Sequence, residues 1–273
     1  MPAQSIDLPG IGNARELGGY AAAGRHIKKG TLIRCASLNN ATEEALARLS
    51  KTYRVETVVD LRMSNEAQGQ PDPAIEGAKG VLLPVVEIAD FLSNGGVTGS
   101  DVALLENYQQ NRMQIFELAY RLGMLSESLY TDFLLGDVGI KAYARFFEEL
   151  LALDEGRAIV WHCTDGKDRT GCAAMLVLFA LGADRETVLS DYLLTNTYNA
   201  AALEAVRQRI ANLDMDDDKR AALLFMSGGV IRGYMEHAID TLEERYGSVG
   251  AYLSDELSVG PAQIERLRDM FLV

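Results

Sequence analysis

Along the first third of the chain, strand-like apolar runs alternate with a segment whose apolar residues recur at helical spacing. The β-type runs at residues 31–34 and 57–61 lie on either side of residues 42–49, where apolar positions recur at the spacing of a short helix. The Gly-rich segment at residues 12–38 is typical of a hairpin or small sheet. A further strand is predicted at residues 81–85. The order strand, helix, strand predicts an α/β unit.

Two predicted helices precede the next strand. Gly and Pro are frequent at residues 64–80, which indicates a loop. Farther along, residues 101–122 and 126–135 have helical patterns, and Gly123 lies between them. Because this pair comes before the next strand, it predicts a helical insertion at residues 101–135 that covers part of the fold.

The second half of the chain is mostly helical in pattern. An amphipathic helix is predicted at residues 140–153, a short strand at 158–161 and an apolar helix at 172–181. Everything after Asp184 has helical spacing. Since no linker of low complexity divides the chain, we expect residues 1–273 to form a single domain with a helical C-terminal half.

The net charge excludes one class of protein. The 26 Lys and Arg residues against 39 Asp and Glu residues give a net charge of −13 and an isoelectric point near 4.7. A generally basic nucleic-acid binder is excluded, and no stable association with membranes is expected. The same acidity repels anionic substrates at long range, so an anion-binding site needs a local positive field.

Cysteine usage and the longest apolar run indicate the compartment. Cys35, Cys163 and Cys172 cannot all pair, and they do not make a disulfide framework. Residues 1–7 lack the basic and apolar regions of a secretory signal. The longest apolar run, residues 172–181, has about half the length of a membrane-spanning helix. These features predict a soluble cytoplasmic protein.

Reactive side chains concentrate between the strand at 158–161 and the helix at 172–181. A helix N-terminus directs unpaired backbone N–H groups and the positive end of its dipole at the preceding loop. A cysteine in that loop, Cys163, is therefore expected to favour its thiolate form and to act as a nucleophile. Its neighbour His162 is expected to fix the loop from the strand side.

The spacing from Cys163 to Arg169 suits a tetrahedral oxyanion. Five residues separate the two, so the loop can curl around an anion with the sulfur below it and the guanidinium fork beside it. Gly166 lets the backbone bend, and the Thr170 hydroxyl is expected to hydrogen-bond the cysteine sulfur. The residues predicted to bind the anion are Thr164, Asp165, Gly166, Lys167, Asp168 and Arg169.

The complete motif resembles that of a known superfamily. Residues 162–171 read HCTDGKDRTG, which resembles the signature of the cysteine-dependent protein tyrosine phosphatases. The match is closest to the bacterial and fungal branch that includes secreted mycobacterial and Listeria-type phosphatases with mixed protein and phosphoinositide activity. Residues 13–20, 58–62 and 246–248 resemble other motifs of that branch, although Glu16 stands where Asp is usual. The resemblance therefore covers most of the chain.

The resemblance implies a fold and a reaction. The fold is a central, mostly parallel sheet flanked by helices, with the helical insertion as a lid-like element. The reaction is phosphoester hydrolysis, in which Cys163 forms a cysteinyl-phosphate that water then hydrolyses, without a metal or another cofactor. The implied substrates are phosphorylated proteins or small phosphoesters, with phosphoinositides as a further class.

A general acid must protonate the leaving oxygen. A Trp-Pro-Asp loop cannot supply it, because Trp161, the only tryptophan, lies in the strand before the nucleophile. Asp168 is the favoured acid, since the branch resembled is thought to use the loop aspartate. Asp60 comes second because it ends a strand. Either carboxylate could instead order a loop, and Asp165 and Asp72 are expected to be solvated.

Two features bear on substrate choice. Lys167 adds a second cation to the loop, which would suit substrates with more than one phosphate, such as phosphoinositides; the alternative is a solvated lysine. The insertion at residues 101–135 could close over the site as a lid, or it could pack as part of the core.

Two other functions are compatible with a cysteine in an anion-binding loop. The first is a catalytically silent phosphate-binding module, against which the retained Cys163 and Arg169 argue. The second is a rhodanese-type sulfurtransferase, which the run of residues 169–171 disfavours. We therefore expect a phosphatase of the phosphotyrosine class.

Overall fold

The computed structural model describes residues 5–93, 101, 104 and 112–273. Part of the first predicted helix of the insertion, residues 102–103 and 105–111, lies outside the described residues. Its later part is a helix, as predicted, from Arg112 to Arg121.

Within the part of the chain that the structure describes, seven strands form two sheets. In chain order they are β1 Arg15–Glu16, β2 Ala21–Ala22, β3 Arg25–His26, β4 Leu32–Cys35, β5 Val55–Asp60, β6 Lys79–Leu82 and β7 Ala158–His162. The central sheet has the order β1-β4-β7-β5-β6, in which only β1 is antiparallel to its neighbour. β2 and β3 form a separate hairpin. The predicted mostly parallel sheet and the predicted N-terminal hairpin are both confirmed.

Helices cover the sheet and form the C-terminal half. They are α1 Glu43–Ala47, α2 Ser64–Gly69, α3 Ile88–Ser93, α4 Arg112–Arg121, α5 Leu129–Leu135, α6 Asp137–Leu151, α7 Asp168–Leu181, α8 Arg185–Tyr198, α9 Ala200–Ile210, α10 Asp217–Met226, α11 Arg232–Tyr246, α12 Val249–Asp255 and α13 Pro261–Phe271. None of the described helices is long and apolar enough to cross a bilayer.

Two predicted boundaries are wrong. Residues 64–69 form helix α2 instead of a loop, because the Glu66 carboxylate accepts the backbone N–H of Met63 and caps the first turn. The strand predicted at 81–85 is β6, which begins earlier and ends before Pro84. Proline has no N–H to donate to the ladder, so pairing stops there.

The core lies on both faces of the parallel strands. All residues of β4 and β7 are buried, as expected where helices cover both faces of a sheet. Helix α7 is apolar around most of its surface, and eleven of its fourteen residues are buried. It packs against the sheet and against α5, α8, α12 and α13. The helix that follows the predicted nucleophile is therefore held rigidly.

The register of the strands places the motif. Cys35 at the end of β4 and Asp60 at the end of β5 both pair with His162 at the end of β7. The carboxyl ends of the three parallel strands therefore meet at one edge of the sheet, and Cys163 follows directly.

A buried ion cluster connects the sheet to helix α8. Asp191 accepts from Arg15 Nε at 2.9 Å and from Arg34 Nη1 at 2.6 Å, and all three side chains are at most 1% exposed. Burial opposes ionisation of Asp191, but the two guanidinium groups hold its pKa below the usual value. Burial and the charge of Arg15, partly offset by Asp191, lower the pKa of Arg34 to about 10.

We predict that Asp191→Asn strongly destabilises the fold. The substitution keeps the shape of the side chain but leaves two buried arginines without a counter-ion, which costs about 3–5 kcal/mol. Urea denaturation followed by circular dichroism measures the free energy of unfolding. Glu186→Gln on the same helix is the control, because its ion pair with Arg232 is exposed and screened by solvent and therefore contributes little to stability. Equal effects of the two substitutions would contradict the role of the buried cluster.

Candidate active site

The predicted motif forms a loop between β7 and α7. Helix α7 begins at Asp168, four residues before the start that its apolar pattern predicted, and Lys167 is its N-cap. Arg169 therefore lies in the first turn of the helix. Cys163 and the residues after it lie at the positive end of the helix dipole, as expected.

The carbonyl groups of the loop are bound from outside. Gly166 O accepts from Asn13 Nδ2 at 2.8 Å and from Arg34 Nη2 at 3.0 Å. Thr164 O accepts from the backbone N–H of Ser37 at 3.1 Å. These bonds turn the carbonyl oxygens toward the protein, which removes negative dipoles from the inner side of the loop.

The amide groups of the loop are left for a ligand. Among the described residues, no protein group accepts from the backbone N–H of Thr164, Gly166 or Lys167. Unpaired N–H groups in a loop before a helix N-terminus can form a concave anion-binding surface. This arrangement suits the oxygens of a tetrahedral oxyanion.

Gly166 is required at the turn of this loop. Its φ is +65°, a left-handed conformation that favours glycine, and a Cβ at this position would lie 2.3 Å from the Cys35 carbonyl oxygen. The loop packs directly on the end of β4, and no side chain fits between them.

Cys163 is the cysteine that faces the cavity. It is 2% exposed and lines a cavity of about 140 Å³ together with Thr164, Asp165, Lys167, Asp168 and Arg169. Cys35 and Cys172 are fully buried elsewhere, and burial raises the pKa of both thiols, so they remain protonated. Asp165 also lines this cavity and is half-buried, so it keeps part of the exposure to solvent that the sequence predicts.

A buried carboxylate that the motif does not contain orients Arg169. Glu66 Oε2 accepts from Arg169 Nη1 at 2.6 Å, and Glu66 Oε1 accepts from the Thr164 hydroxyl at 2.6 Å. Burial opposes ionisation of Glu66, but the charge of Arg169 and these hydrogen bonds lower its pKa. Glu66 is thus an ionised brace for the guanidinium. The sequence signal for Glu66 is its position as the capping acid of a first helical turn, but the Gly and Pro residues at 64–80 favour a loop there.

Asp168 and Lys167 form a pair at the mouth of the loop. Lys167 Nζ lies 2.9 Å from Asp168 Oδ2 and 3.7 Å from the centre of the Phe225 ring, and the lysine is 3% exposed. The alternative of a solvated lysine is therefore wrong. The hydroxyl of Tyr130, on helix α5, donates to Asp168 Oδ1 at 2.7 Å.

Asp60 and Asp72 lie behind the loop. Asp60 accepts from Arg62 Nε at 2.9 Å, and it is not among the described residues that line the cavity. Asp72 lies 2.8 Å from His162 Nε2 and 3.1 Å from Arg62 Nη2, so the expected solvation of Asp72 is wrong. Burial opposes its ionisation, but His162 and Arg62 lower its pKa. The structure therefore brings Asp168, and not Asp60, to the cavity.

The cluster behind the loop also fixes His162. Its Nδ1 lies 3.2 Å from the Cys163 carbonyl oxygen, which agrees with the expected contact from the strand side. Among the described residues, Asp60, Asp72 and His162 are the one group whose donor atoms could share a metal ion. The guanidinium of Arg62 already bonds both carboxylates, so the cluster contains its own cation.

The predicted bond from Thr170 to the cysteine sulfur is not formed. Thr170 Oγ1 is buried and has no hydrogen-bond partner among the described residues. The backbone of Thr170 is fixed instead, because its carbonyl accepts from Trp161 Nε1 at 3.2 Å.

The outer wall of the cavity is apolar. Helices α4, α5 and α10 and the segments beside them supply it through Ile115, Leu118, Leu122, Met124, Leu125, Leu129, Phe133, Phe225 and Met226. The insertion covers the site and also joins the core, since Tyr130 and Leu134 of α5 are fully buried there. Packing of the insertion in the core is thus confirmed for its described part, and closure over the site as a lid stays a prediction.

Comparison with known proteins agrees with this site. The sequence model of a tyrosine phosphatase family matches residues 6–273. A Cupriavidus necator protein named as a tyrosine-protein phosphatase is 32% identical over 259 residues, covering 93% of this chain and 84% of its own. The Mycobacterium tuberculosis protein PtpB, named as a triple specificity protein phosphatase, is 29% identical over 289 residues, covering 97% of this chain and 98% of its own.

We predict that Gly166→Ala abolishes most anion binding. The new Cβ would displace the loop from the Cys35 carbonyl, and loss of only about 1.4 kcal/mol already weakens binding tenfold. The affinity for inorganic phosphate, measured by calorimetry, is expected to fall by about tenfold or more. Gly77→Ala is the matched control, because Gly77 has φ +81° but no atom within 4 Å of the added Cβ. An unchanged phosphate affinity in Gly166→Ala would contradict the role of this loop in anion binding.

Proposed function

Since the chain belongs to the tyrosine phosphatase family and is a phosphoester hydrolase of that type, we propose that the residues 163–169 loop is its catalytic centre. Cys163 attacks phosphorus, so that an S–P bond forms as the bond to the leaving oxygen breaks. Water then attacks the cysteinyl-phosphate, the S–P bond breaks and inorganic phosphate leaves. The observation that carries this proposal is the position of Cys163 and Arg169 at one cavity, beside loop amides of Thr164, Gly166 and Lys167 that have no acceptor among the described residues.

The loop and Arg169 stabilise the charge of the transition state. The amides of Thr164, Gly166 and Lys167 and the guanidinium of Arg169 supply donors for the equatorial oxygens of phosphorus. The ion pair with Glu66 fixes the guanidinium before substrate binds, so little reorganisation is needed during the reaction.

Asp168 is the proposed general acid. Its half-buried carboxyl group lines the cavity with Cys163, and it lies next to Arg169 in the first turn of α7. It gives its proton to the leaving oxygen in the first step and takes a proton from water in the second. Asp60 does not take this role in the proposal, because its carboxylate is engaged by Arg62.

The proposed substrates are phosphotyrosyl proteins and small aryl phosphoesters. The apolar wall suits an aromatic ring, whereas the charge of Lys167 is already engaged by Asp168 and Phe225 instead of facing a second phosphate. We therefore expect this protein to hydrolyse phosphotyrosine more efficiently than phosphoinositides. The name of the M. tuberculosis relative supports some breadth of specificity.

The two competing functions are not favoured by the family match. A silent phosphate-binding module has no need of Cys163 at the centre of the anion cradle. A sulfurtransferase is not the family to which residues 6–273 belong.

We also propose one domain and a reducing compartment. Support for one domain comes from contacts between distant parts of the chain, such as the bridge between Ile27 and Leu272 and the bond from the Tyr252 hydroxyl to Leu134 O. Support for a cytoplasmic location comes from the three cysteines, all of which are free thiols.

We predict that Cys163→Ser eliminates hydrolysis of p-nitrophenyl phosphate. The hydroxyl of serine is not ionised near neutral pH, so kcat is expected to fall by about 10³-fold or more. The assay contains a metal chelator, because the proposed mechanism needs no metal. Cys172→Ala, which removes a buried thiol outside the cavity, is expected to keep most of the activity. Activity retained by Cys163→Ser, or lost on chelation, would refute the mechanism.

We predict a preference for phosphotyrosyl peptides over water-soluble phosphoinositides. The expected ratio of kcat/KM is about tenfold or more, which corresponds to roughly 1.4 kcal/mol of better transition-state binding. Release of inorganic phosphate is measured at equal substrate concentration and ionic strength. A ratio near one, or the reverse preference, would contradict the assignment of the apolar wall to an aromatic ring.

A further inference from the structure

A buried chain of hydroxyl groups leads away from the proposed acid. Tyr130 Oη lies 2.7 Å from Asp168 Oδ1 and 2.8 Å from Tyr192 Oη, and Tyr192 Oη lies 3.2 Å from the Ile231 carbonyl oxygen. Tyr130 is fully buried and Tyr192 is 1% exposed. The chain thus runs from the cavity through α5 and α8 to the start of α11, without access to bulk water along the tyrosines.

We propose that Tyr130 is a positioning residue for Asp168, and that the hydrogen-bond chain through Tyr192 reverses its direction when Asp168 gains or loses its proton. This inference rests on the proposed role of Asp168 as the general acid. Tyr130 is not placed against the substrate; it acts through the carboxyl group.

The hydrogen-bond chain can run in two directions, depending on the number of protons that it holds. Each tyrosine has one hydroxyl hydrogen, and Ile231 O can only accept. When Asp168 is ionised, Tyr130 donates to its Oδ1 and Tyr192 donates to Tyr130. When Asp168 carries a proton on Oδ1, it donates to Tyr130, Tyr130 donates to Tyr192, and Tyr192 donates to Ile231 O. Both arrangements use the same oxygens, and in both of them Asp168 Oδ1 has a partner.

Lys167 determines which oxygen carries the proton. Its ammonium group can only donate, and it lies 2.9 Å from Asp168 Oδ2 and 3.2 Å from Oδ1. A proton on the nearer oxygen would face the ammonium group and, within the described part of the chain, no acceptor. The proton therefore belongs on Oδ1, where Tyr130 offers an acceptor.

Titratable groups from several elements surround Asp168. The titratable groups that face it are Lys167 from the loop, Tyr130 from α5, Tyr192 from α8, Tyr234 from α11 and Cys172 from its own helix. Burial raises the pKa of Tyr130 and Tyr192 well above the ordinary value, so both keep their hydrogens. The edge-on packing of the two rings, with centroids 5.8 Å apart, fixes the hydroxyls.

The reversal assists the first step of the reaction. When substrate is bound, the Oδ1 proton turns from Tyr130 to the leaving oxygen. As the carboxyl O–H bond breaks and the leaving oxygen gains the proton, a carboxylate forms, and Tyr130 turns its own hydrogen to Oδ1. The charge is thus stabilised where and when it appears. Loss of the hydroxyl should slow substrates that depend on protonation of the leaving group and spare those that do not.

The test compares two aryl phosphates. Phenyl phosphate has a poor leaving group that needs the acid, whereas p-nitrophenolate leaves with little need of a proton. The quantity measured is kcat/KM, which includes departure of the leaving group but not hydrolysis of the cysteinyl-phosphate. In Tyr130→Phe, kcat/KM for phenyl phosphate is expected to fall about tenfold, part of the 10²–10⁴ that a general acid contributes, and for p-nitrophenyl phosphate less than about twofold.

Tyr234→Phe is the matched control. Tyr234 packs edge-on against Tyr130 with ring centroids 6.2 Å apart, but its hydroxyl donates to Leu125 O, outside the chain. Both substrates are expected to react with this variant at nearly the wild-type rate. Equal losses for the two substrates in Tyr130→Phe would indicate a packing effect and would overturn the proposal, as would no loss for either.

A double-mutant cycle separates the inference from the proposed function. Asp168→Asn should reproduce the selective loss for phenyl phosphate more strongly, and Tyr130→Phe should add nothing in that background. A selective loss in Asp168→Asn without one in Tyr130→Phe overturns this inference and leaves the proposed acid in place. No selective loss in Asp168→Asn overturns both. If Tyr130→Phe does not fold, as judged by circular dichroism, Tyr192→Phe removes the next link and decides between the same outcomes.

Discussion

The hydrogen bonds to the carbonyl of Gly166 are the constraint on which the site depends. Asn13 and Arg34 hold this oxygen from outside the loop, and Asp191 in turn holds Arg34. With the carbonyls turned outward, the amides turn inward, and a strand–loop–helix junction becomes an anion cradle. The buried charges of Arg34 and Asp191 are expensive to desolvate, so a fold that needed only stability would do as well with apolar residues there. The buried charges of Arg34 and Asp191 instead fix the geometry of the loop.

The same arrangement resolves the conflict between an acidic protein and an anionic substrate. The net charge of −13 acts over the whole surface and is screened within about 10 Å at ordinary ionic strength. In the cradle, the amides, the helix dipole and Arg169 act at contact distance in a partly buried cavity, where screening is weakest. Glu66 also lines the cavity, so its ion pair with Arg169 offsets part of this field, but it directs the guanidinium, and the amides and the helix dipole remain.

Local patterns allowed the fold and the centre of the site to be predicted. Strand-like apolar runs located β4, β5 and β7 nearly correctly, and the loop from Cys163 to Arg169 is one continuous motif. The supporting residues could not be found in this way, because their partners are distant in sequence. Arg34 and Asp191 are 157 positions apart, and Glu66 and Arg169 are 103 apart. With 39 acidic residues available, no local pattern selects Asp191 and Glu66 as the partners of these arginines.

Helix α5 couples the enclosure of the substrate to the proton chemistry. Leu129 and Phe133 of this helix line the apolar wall, while Tyr130 between them bonds Asp168. In the proposed mechanism, neighbouring residues of one helix therefore contact the body of the substrate and the acid that protonates its leaving oxygen. A substrate that displaces α5 outward would also remove the partner of Asp168 Oδ1. Bulky esters are then penalised twice, by lost apolar contact and by a misplaced acid, and this coupling favours a flat aromatic ring over a wider polar headgroup.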